Sequence, residues 1–485
     1  MSSSRPNVVL IMTDTQNKDM ISAYGLPQMR TPNLDRLARS GIRFERAYTT
    51  CPLCTPARGG IFTGMHPQLN GATYNGVSLY SHIPHAGHYF RRGGYRAAYT
   101  GKWHLDGDYP YLGSGEPDRG FEPDWWYDGE CYRRDVGEET FRKCYKSRAM
   151  QARLEEMPED ASLYWAHRVA DRAIDFMQQA GDEPFFLGVS FDEPHGPSCA
   201  PPSFYRDIDP QEFPVHPTFN RLGEGKPAHH TRISTAKGEC PEQDLRSYYR
   251  LYYGCNRFVD SEIGRVLDAV PDNTIVVYTA DHGNCMADYG FWSKGFWMYE
   301  RDVNIPLIIA GPGVAEGGVS QSVVSHVDIL PTLLAACGIS KLNPLYEQER
   351  IGIDVPVEEA RDRHMWIDRL HGLDLAPVLR EPSARAREQA FISYLRFGNL
   401  PKKDTVGTYP VRCAVDERYK LVLNMLDTDE LYDLQDDPYE LVNRLDAREC
   451  AGPRDRLHEA LLDFMDDITD PMRSHVWGDR PWRSA

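Results

Sequence analysis

At 485 residues, with 41% hydrophobic and 26% charged residues, the chain has a globular composition and exceeds what one compact core usually supports, so a large unit plus a smaller one is expected. The formal net charge of −17 excludes a nucleic-acid partner, which would need clustered Lys and Arg for counterion release. No run approaches the roughly 18 continuous apolar residues of a membrane span, and no small-residue cleavage site follows the short apolar run 8–12, so a cytoplasmic protein without a membrane partner is expected.

Taken in chain order, residues 7–12 read as a buried first strand. Thr31 and Pro32 open a helix as N-cap and first helical residue, and Gly41 ends it. Residues 42–48 are extended. Thr55 and Pro56 open a second helix, closed by Gly64. A strand at 95–99 leads into a long stretch, 106–159, that reads as irregular. Leu163, Ala166, Ala170, Ala173 and Met177 mark an amphipathic helix, and Leu245, Tyr252, Cys255, Val259, Ile263 and Leu267 a longer one. Between these helices, 184–191 is a near-continuous apolar strand and 196–241 is irregular and rich in Pro and His. Residues 274–280 and 305–310 are further buried strands, of the kind covered on both faces. A polar break follows Leu379; beyond it 390–397, 411–415 and 419–424 read as a small sheet and 453–468 as a final helix.

The fold class is therefore α/β: a large mixed, mostly parallel central sheet flanked by helices over 1–379, and a smaller α+β unit over 380–485. The eleven cysteines are expected to be mostly free and buried. One pair, Cys51 and Cys54, has C-x-x-C spacing, but no second such pair exists to complete a structural zinc site.

In open α/β sheets, ligands bind at the carboxyl ends of the strands. Asp14 follows the first strand; Lys102 and His104 follow 95–99; His195 follows 184–191; Asp281 and His282 follow 274–280, with Lys294 a short loop later. Any one of these suits a solvated loop. Four strand ends delivering such groups to one edge point to a site. Cys54 lies at the start of its helix, where backbone N–H groups and the dipole favour an anion, and Arg58 lies one turn inside. Asp14 and Asp281 would repel a thiolate unless a cation lay between them. Oxygen-rich ligands suit Ca²⁺ or Mg²⁺, and His282 makes Mn²⁺ compatible.

Cys54-Thr55-Pro56-Ala57-Arg58 resembles the C-x-P-x-R motif of the type I, formylglycine-dependent sulfatases of the alkaline phosphatase superfamily, close to the arylsulfatase and phosphonate monoester hydrolase branch. Segments 6–16, 100–105, 193–197, 279–283 and 305–313 are similar, in order, to that family's first metal loop, G-K-x-H motif, P-H-x-P loop, second metal loop and following strand. Residues 430–441 resemble its C-terminal subdomain.

The resemblance implies that a maturation enzyme oxidises Cys54 to formylglycine. It implies that Asp14, Asp281, His282 and the modified Cys54 ligate one divalent ion, Ca²⁺ first. Arg58 would hold the modified side chain, and Lys102, His104, His195 and Lys294 would surround the sulfate. A hydrated aldehyde has two hydroxyls, one to attack sulfur and one whose proton, taken by His104, releases sulfate. His195, with Lys294, would protonate the leaving oxygen.

The implied activity is hydrolysis of small-molecule or sugar sulfate esters. Phosphonate monoester or phosphodiester hydrolysis on the same site is the alternative, and a silent sulfate-ester binder the third reading. One position departs from the family: Thr15 stands where most sulfatases carry a second aspartate, leaving that ligand to Gln16, Asn17 or water, or the coordination number lower. Thr15 favours the phosphonate branch, Lys102 and His104 the sulfatase branch.

Asn75 reads equally as a substrate contact or a turn residue. Trp125, Trp126 and Tyr127 read as lid packing rather than a leaving-group pocket, His229-His230 as a solvated loop rather than a metal pair, and His326 as structural. A homo-oligomer is compatible with the sequence.

Overall fold

A computed structural model describes residues 5–107, 112–118, 120–145, 157–236, 238–340, 370–395 and 410–483. Eight strands form the main sheet: β1 (Asn7–Asp14), β2 (Gly41–Tyr48), β3 (Arg96–Gly101), β4 (Trp126–Tyr127), β5 (Phe185–Pro194), β6 (Thr274–Ala280), β7 (Leu307–Ala310) and β8 (Gly318–Ser325), in the order β4-β3-β5-β1-β6-β7-β2-β8. Every neighbouring pair is parallel except those made by β7, which runs antiparallel to both β6 and β2. The four strands whose ends carry the candidate residues, β3, β5, β1 and β6, are adjacent and parallel, so their carboxyl ends share one edge.

Alternation along β1 shows why its residues 8–12 are all apolar. Val9 and Ile11 face the core built on helices Trp165–Ala180 and Glu242–Ala269. Val8, Leu10 and Met12 face the core that includes Ile61 and Phe62 of helix Cys54–Thr63 and Ile329, Leu330 and Leu333 of helix Ile329–Ala336. Both faces are covered along 8–12, and polar side chains enter only at the strand's ends.

A second, antiparallel sheet, β12-β11-β10-β9, comprises β9 (Ala390–Tyr394), β10 (Val411–Val415), β11 (Tyr419–Asn424) and β12 (Glu430–Asp433). One face packs Ala414, Leu421 and Leu423 against Leu457, Leu461 and Met465 of helix Ala451–Asp467. The other packs Ile392, Cys413 and Val422 against Tyr48, Cys51, Leu53 and Val323 of the larger unit. We propose 1–379 and 380–485 as the two structural units, a division that falls at the end of the short helix Ala376–Arg380.

Several local expectations change. Gly41 opens β2 rather than capping the helix Pro32–Arg39, whose C-cap is Ser40. Thr31 makes no side-chain cap; its hydroxyl bonds Ser22 instead, at 2.8 Å. The stretch 106–159 contains the helix Gly129–Cys144, capped by Asp128 and kinked where Gly137 takes φ 77°. The stretch 196–241 holds short helices, among them Ala228–Thr235. His229 and His230 lie in that helix and are buried, not in a solvated loop. Asp427 of the second sheet's loops accepts from the N–H groups of Ala228 and His229 at 3.0 Å each and so caps the helix from 198 or more residues away. Residues 396–397, expected to end a strand, lie outside the described residues.

All eleven cysteines are unpaired thiols, and all but Cys131 are buried. Among the described residues no helix is long and apolar enough to cross a membrane.

Candidate active site

The helix Cys54–Thr63 is buried along its whole length, with Cys54 its first residue. Thr55 does not cap it; its hydroxyl donates to the His104 carbonyl at 3.0 Å. The cap is Asn75, whose Oδ1 accepts from Thr55 N–H at 3.0 Å. Gly64, with φ 65°, ends the helix as expected. Position 54 is thus held at a fixed helix start on the polar edge of the sheet.

Around the Cys54 Sγ stand Lys294 Nζ at 3.1 Å, His282 Nε2 at 3.2 Å and an Asp14 carboxylate oxygen at 3.7 Å. Arg58 is fully buried and spends its guanidinium on the walls of the site. Its Nε donates to Asp281 at 3.1 Å, one amine to Asp14 at 3.3 Å, and the other to Ser190 Oγ at 2.8 Å and the Lys102 carbonyl at 2.6 Å. Lys102 Nζ bridges Asp14 at 2.6 Å and Asp192 at 2.8 Å. Tyr145 donates to the other Asp192 oxygen at 2.9 Å.

Gly101 makes this bridge possible. A Cβ there would lie 1.8 Å from the Ser190 carbonyl oxygen, and the residue has φ 104°. Only glycine lets the end of β3 lie so close to β5 that Lys102 N–H bonds Ser190 O at 2.8 Å.

The charges set one another. Burial pushes the Cys54 thiol up and Asp14 adds to that, but Lys294, Lys102 and His282 prevail and bring it down to about 5. Burial also opposes ionisation of Asp14, yet Lys102, Lys294, His195 and Arg58 hold its carboxyl well below the usual range. Asp281 is pushed up to about 7 by burial and by Asp14. His282 goes the other way: burial would lower it, but Asp281 raises it to about 9. Burial, then Lys102 and Arg58, take His104 down to about 3. Burial, then Lys294 and Lys102, take His195 to about 4. Both imidazoles are therefore neutral near pH 7.

One donor atom from each of Asp14, Cys54, Asp281 and His282 lies within 4.8 Å of the others, all buried. Asp14 adds to the cost of ionising Asp281, a repulsion that a cation between them would relieve. Two carboxylates, one imidazole and an oxygen at position 54 fit a hard divalent ion.

The neighbouring donors depart from expectation. Gln16 is turned into the sheet: its Nε2 donates to Asn256 Oδ1 at 2.5 Å and its Oε1 bonds the Thr13 and Tyr278 hydroxyls. Asn17 is committed to Asn284, donating to its carbonyl at 2.8 Å and accepting from its N–H. Thr15 is the residue at the cluster. Its N–H bonds Asp281 at 3.0 Å, its hydroxyl bonds Asp14, and Lys294 Nζ lies 3.3 Å from that hydroxyl. A φ of 63° turns its backbone toward the cluster.

Three residues escaped the sequence reading: Asp192, Ser190 and Tyr145. Asp192 carried the same signal as Asp14, an acid at the end of an apolar run. Ser190 and Tyr145 carried none. Trp126 and Tyr127 form the edge strand β4 and are buried, while Trp125 packs on Phe176 at 5.3 Å, so this trio is packing as expected. His326, buried and bonded to the Ala280 carbonyl at 3.0 Å, is structural.

Such a site defines a class: a hydrolase acting on an anionic ester at the carboxyl edge of a parallel sheet. The sulfatase family profile matches residues 6–339. The chain is 37% identical to the uncharacterized sulfatase YidJ of Escherichia coli (strain K12), covering 99% of this chain and 91% of that protein. It is 28% identical to the choline-sulfatase of Rhizobium meliloti (strain 1021), covering 98% of this chain and 88% of that protein. The crystal structure of the phosphonate monoester hydrolase of Agrobacterium radiobacter has the same fold, with a TM-score of 0.74 at 23% identity over 96% of each chain. The chain belongs to the sulfatase family, with the alkaline-phosphatase-like fold, and is a hydrolase acting on sulfuric esters.

Proposed function

We propose that the protein hydrolyses sulfate monoesters through residue 54 in its formylglycine form, with one divalent cation, Ca²⁺ in the first place, held by Asp14, Asp281, His282 and residue 54. Bound there, the cation and the hydrated aldehyde supply an acidified hydroxyl as nucleophile and a second hydroxyl for release of sulfate. The observation that carries this reading is the arrangement at the start of helix Cys54–Thr63. Lys294 and His282 stand within 3.2 Å of the Cys54 sulfur, inside a ring of buried carboxylates.

Each surrounding residue has a task. Arg58, held by four acceptors, fixes the two carboxylates and stays charged. Lys102 and Lys294 oppose the negative oxygens of the substrate, where donors aimed at developing charge accelerate the chemical step. His104, held neutral, accepts the proton of the second hydroxyl. His195 Nδ1 lies 2.7 Å from the Gly196 carbonyl, which can only accept, so Nε2 is the titrating nitrogen. Burial first, then Lys294 and Lys102, suppress its basicity, and a bound sulfate ester would offset part of the ammonium share. In that complex His195 is the group to deliver a proton to the leaving oxygen. Asn75, fixed against Thr55, is a neutral donor to the same substrate. The substrate class is a small-molecule or sugar sulfate ester, and a formylglycine-generating enzyme is the maturation partner.

The position of the Thr15 hydroxyl at the cluster favours the second reading, phosphonate monoester hydrolysis. Side-by-side assays with an aryl sulfate and an aryl phosphonate decide between them. We expect the higher kcat/KM for the sulfate. We also expect the Lys102→Tyr/His104→Thr double variant to lose sulfate turnover preferentially, by about 10²–10³-fold. A higher kcat/KM for the phosphonate in the wild-type enzyme would overturn the assignment.

A further inference from the structure

Asp192 is a buried acid beside a site for an anion, yet it stands outside the donor cluster of Asp14, Cys54, Asp281 and His282. A carboxylate there repels the substrate, so its task must be of another kind. The clue is Lys102. The backbone of Lys102 is pinned on both sides: its N–H donates to the Ser190 carbonyl at 2.8 Å, and its own carbonyl accepts from Arg58 at 2.6 Å and from the Tyr99 hydroxyl. What remains loose is the side chain, a point charge on a flexible stem. Two carboxylates hold its ammonium, Asp14 at 2.6 Å and Asp192 at 2.8 Å. Asp14 is also a donor of the cluster, where a cation would draw on its charge. Asp192, outside the cluster, keeps its charge for Lys102.

Asp192 is itself held. It opens the turn into His195, whose N–H donates to the Asp192 carbonyl at 3.0 Å. One carboxylate oxygen takes Lys102, and the other takes the Tyr145 hydroxyl at 2.9 Å. Tyr145 follows helix Gly129–Cys144 and is buried, its ring stacked on Phe141 at 5.1 Å and edge-on to Trp165 at 5.6 Å, so the hydroxyl has a fixed place. Burial opposes ionisation of Asp192, but Lys102 and then His195 hold its carboxyl below the ordinary range.

We propose that Asp192, steadied by Tyr145, is the positioning residue for Lys102. It lowers the attraction of the site for the ground-state anion and fixes the ammonium where charge develops on the oxygens of sulfur. Only interactions stronger in the transition state than in the ground state speed the chemical step, and a misplacement of about 1 Å can cost about 10²-fold. The proposal rests on the assignment of Lys102 to the substrate oxygens.

Kinetics with an aryl sulfate test it, each kcat divided by the fraction of chains that carry formylglycine at residue 54, measured by peptide mass analysis. Asp192→Asn removes the charge with little change of volume. We expect kcat to fall about 10²-fold. Inorganic sulfate, as a competitive inhibitor, should bind about three-fold more tightly, because a negative group has left an anion site. Tyr145→Phe keeps every charge; kcat should fall about ten-fold with sulfate inhibition unchanged. In the Asp192→Asn background, Tyr145→Phe should cost nothing more. The amide offers Lys102 and Tyr145 one acceptor between them, and without the hydroxyl its oxygen turns to Lys102. A residue that merely holds the fold would lower kcat and sulfate affinity together, and the two substitutions would add. That pattern overturns the proposal, as does wild-type kcat in Tyr145→Phe or in folded Asp192→Asn. Tyr145→Phe, the milder change, decides by itself if Asp192→Asn fails to fold. Lys102→Met separates the two readings. Wild-type kcat there removes the assignment of Lys102 and this proposal with it, whereas a large loss there beside an unaffected Asp192→Asn removes this proposal alone.

Discussion

Two regions bury charge at comparable depth and use it in opposite ways. Where the second sheet meets the larger unit, Lys420 is fully buried between Glu440 at 2.5 Å and Glu300 at 3.0 Å. Arg412, equally buried, pairs with Asp470 at 2.7 Å and 2.9 Å. These charges are answered by side chains from distant parts of the chain. At the carboxyl edge of the main sheet, Asp14, Asp281, Arg58, Lys102 and Asp192 form a similar network. Burial pushes Glu440 up to about 7, as it does Asp281, so a raised carboxyl marks both regions. At the strand ends, however, donor atoms of Asp14, Cys54, Asp281 and His282 lie within 4.8 Å of one another, and Lys294 faces position 54. Convergence of donors on one point is what separates a site from a brace.

The sharpest way to test that contrast is at position 54. Cys54→Ser leaves the second hydroxyl unavailable, and turnover should fall by at least about 10³-fold, while the thermal midpoint stays near that of the parent. Peptide mass analysis of the active parent should show modification at this residue; a wholly unmodified cysteine in active enzyme would contradict the mechanism.

Lys420→Met should do the reverse. Leaving two glutamates buried without their ammonium group costs about 3–5 kcal/mol of stability, measured by urea unfolding, with kcat of the folded fraction retained. Loss of kcat with unchanged stability would erase the distinction between the two regions.

Glu193 lies between them in character. It is buried beside Asp192, and burial first, then Asp192, pushes its carboxyl up to about 8. Its folded pKa is raised, so the native chain keeps a proton that the unfolded chain releases above the ordinary carboxylate range. Wild-type stability from this residue is therefore full at low pH and is lost as pH rises from about 4.3 towards 8. Glu193→Gln can still accept from Ala166 N–H and carries no such loss. Relative to wild type, the variant should gain stability with rising pH, by a few kcal/mol at most. Urea midpoints at pH 5 and pH 8 measure this, and a variant-minus-wild-type difference that falls between pH 5 and pH 8 contradicts it.

The smallest effect belongs to Cys51→Ser. Cys51 packs between the two sheets, and burial keeps its thiol protonated. The change should cost about 1 kcal/mol and leave kcat within about two-fold. Lost activity in folded protein would restore a redox role to the C-x-x-C pair.

Much of this architecture could be read from residue order. Strands β6, β10 and β11 fall where mostly apolar runs placed them, even though β10 and β11 each carry a buried charge, Arg412 and Lys420. The order of Asp14, Cys54, Arg58, Lys102, His104, His195, Asp281, His282 and Lys294 at strand ends and at one helix start was legible as well. Parallel strands send their carboxyl ends to one edge, so local position already implies convergence. Tertiary structure decided what depends on contacts remote in sequence. Asp427 caps the helix that buries His229 and His230, and Asn75 replaces Thr55 as the cap beside Cys54. Gly101 clears the Ser190 carbonyl so that Lys102 can reach Asp192, and Thr15, rather than Gln16 or Asn17, comes to the cluster. Each of these is set by which groups packing leaves without a partner, and a hydrogen bond closed across tens or hundreds of residues leaves no period or spacing in the sequence.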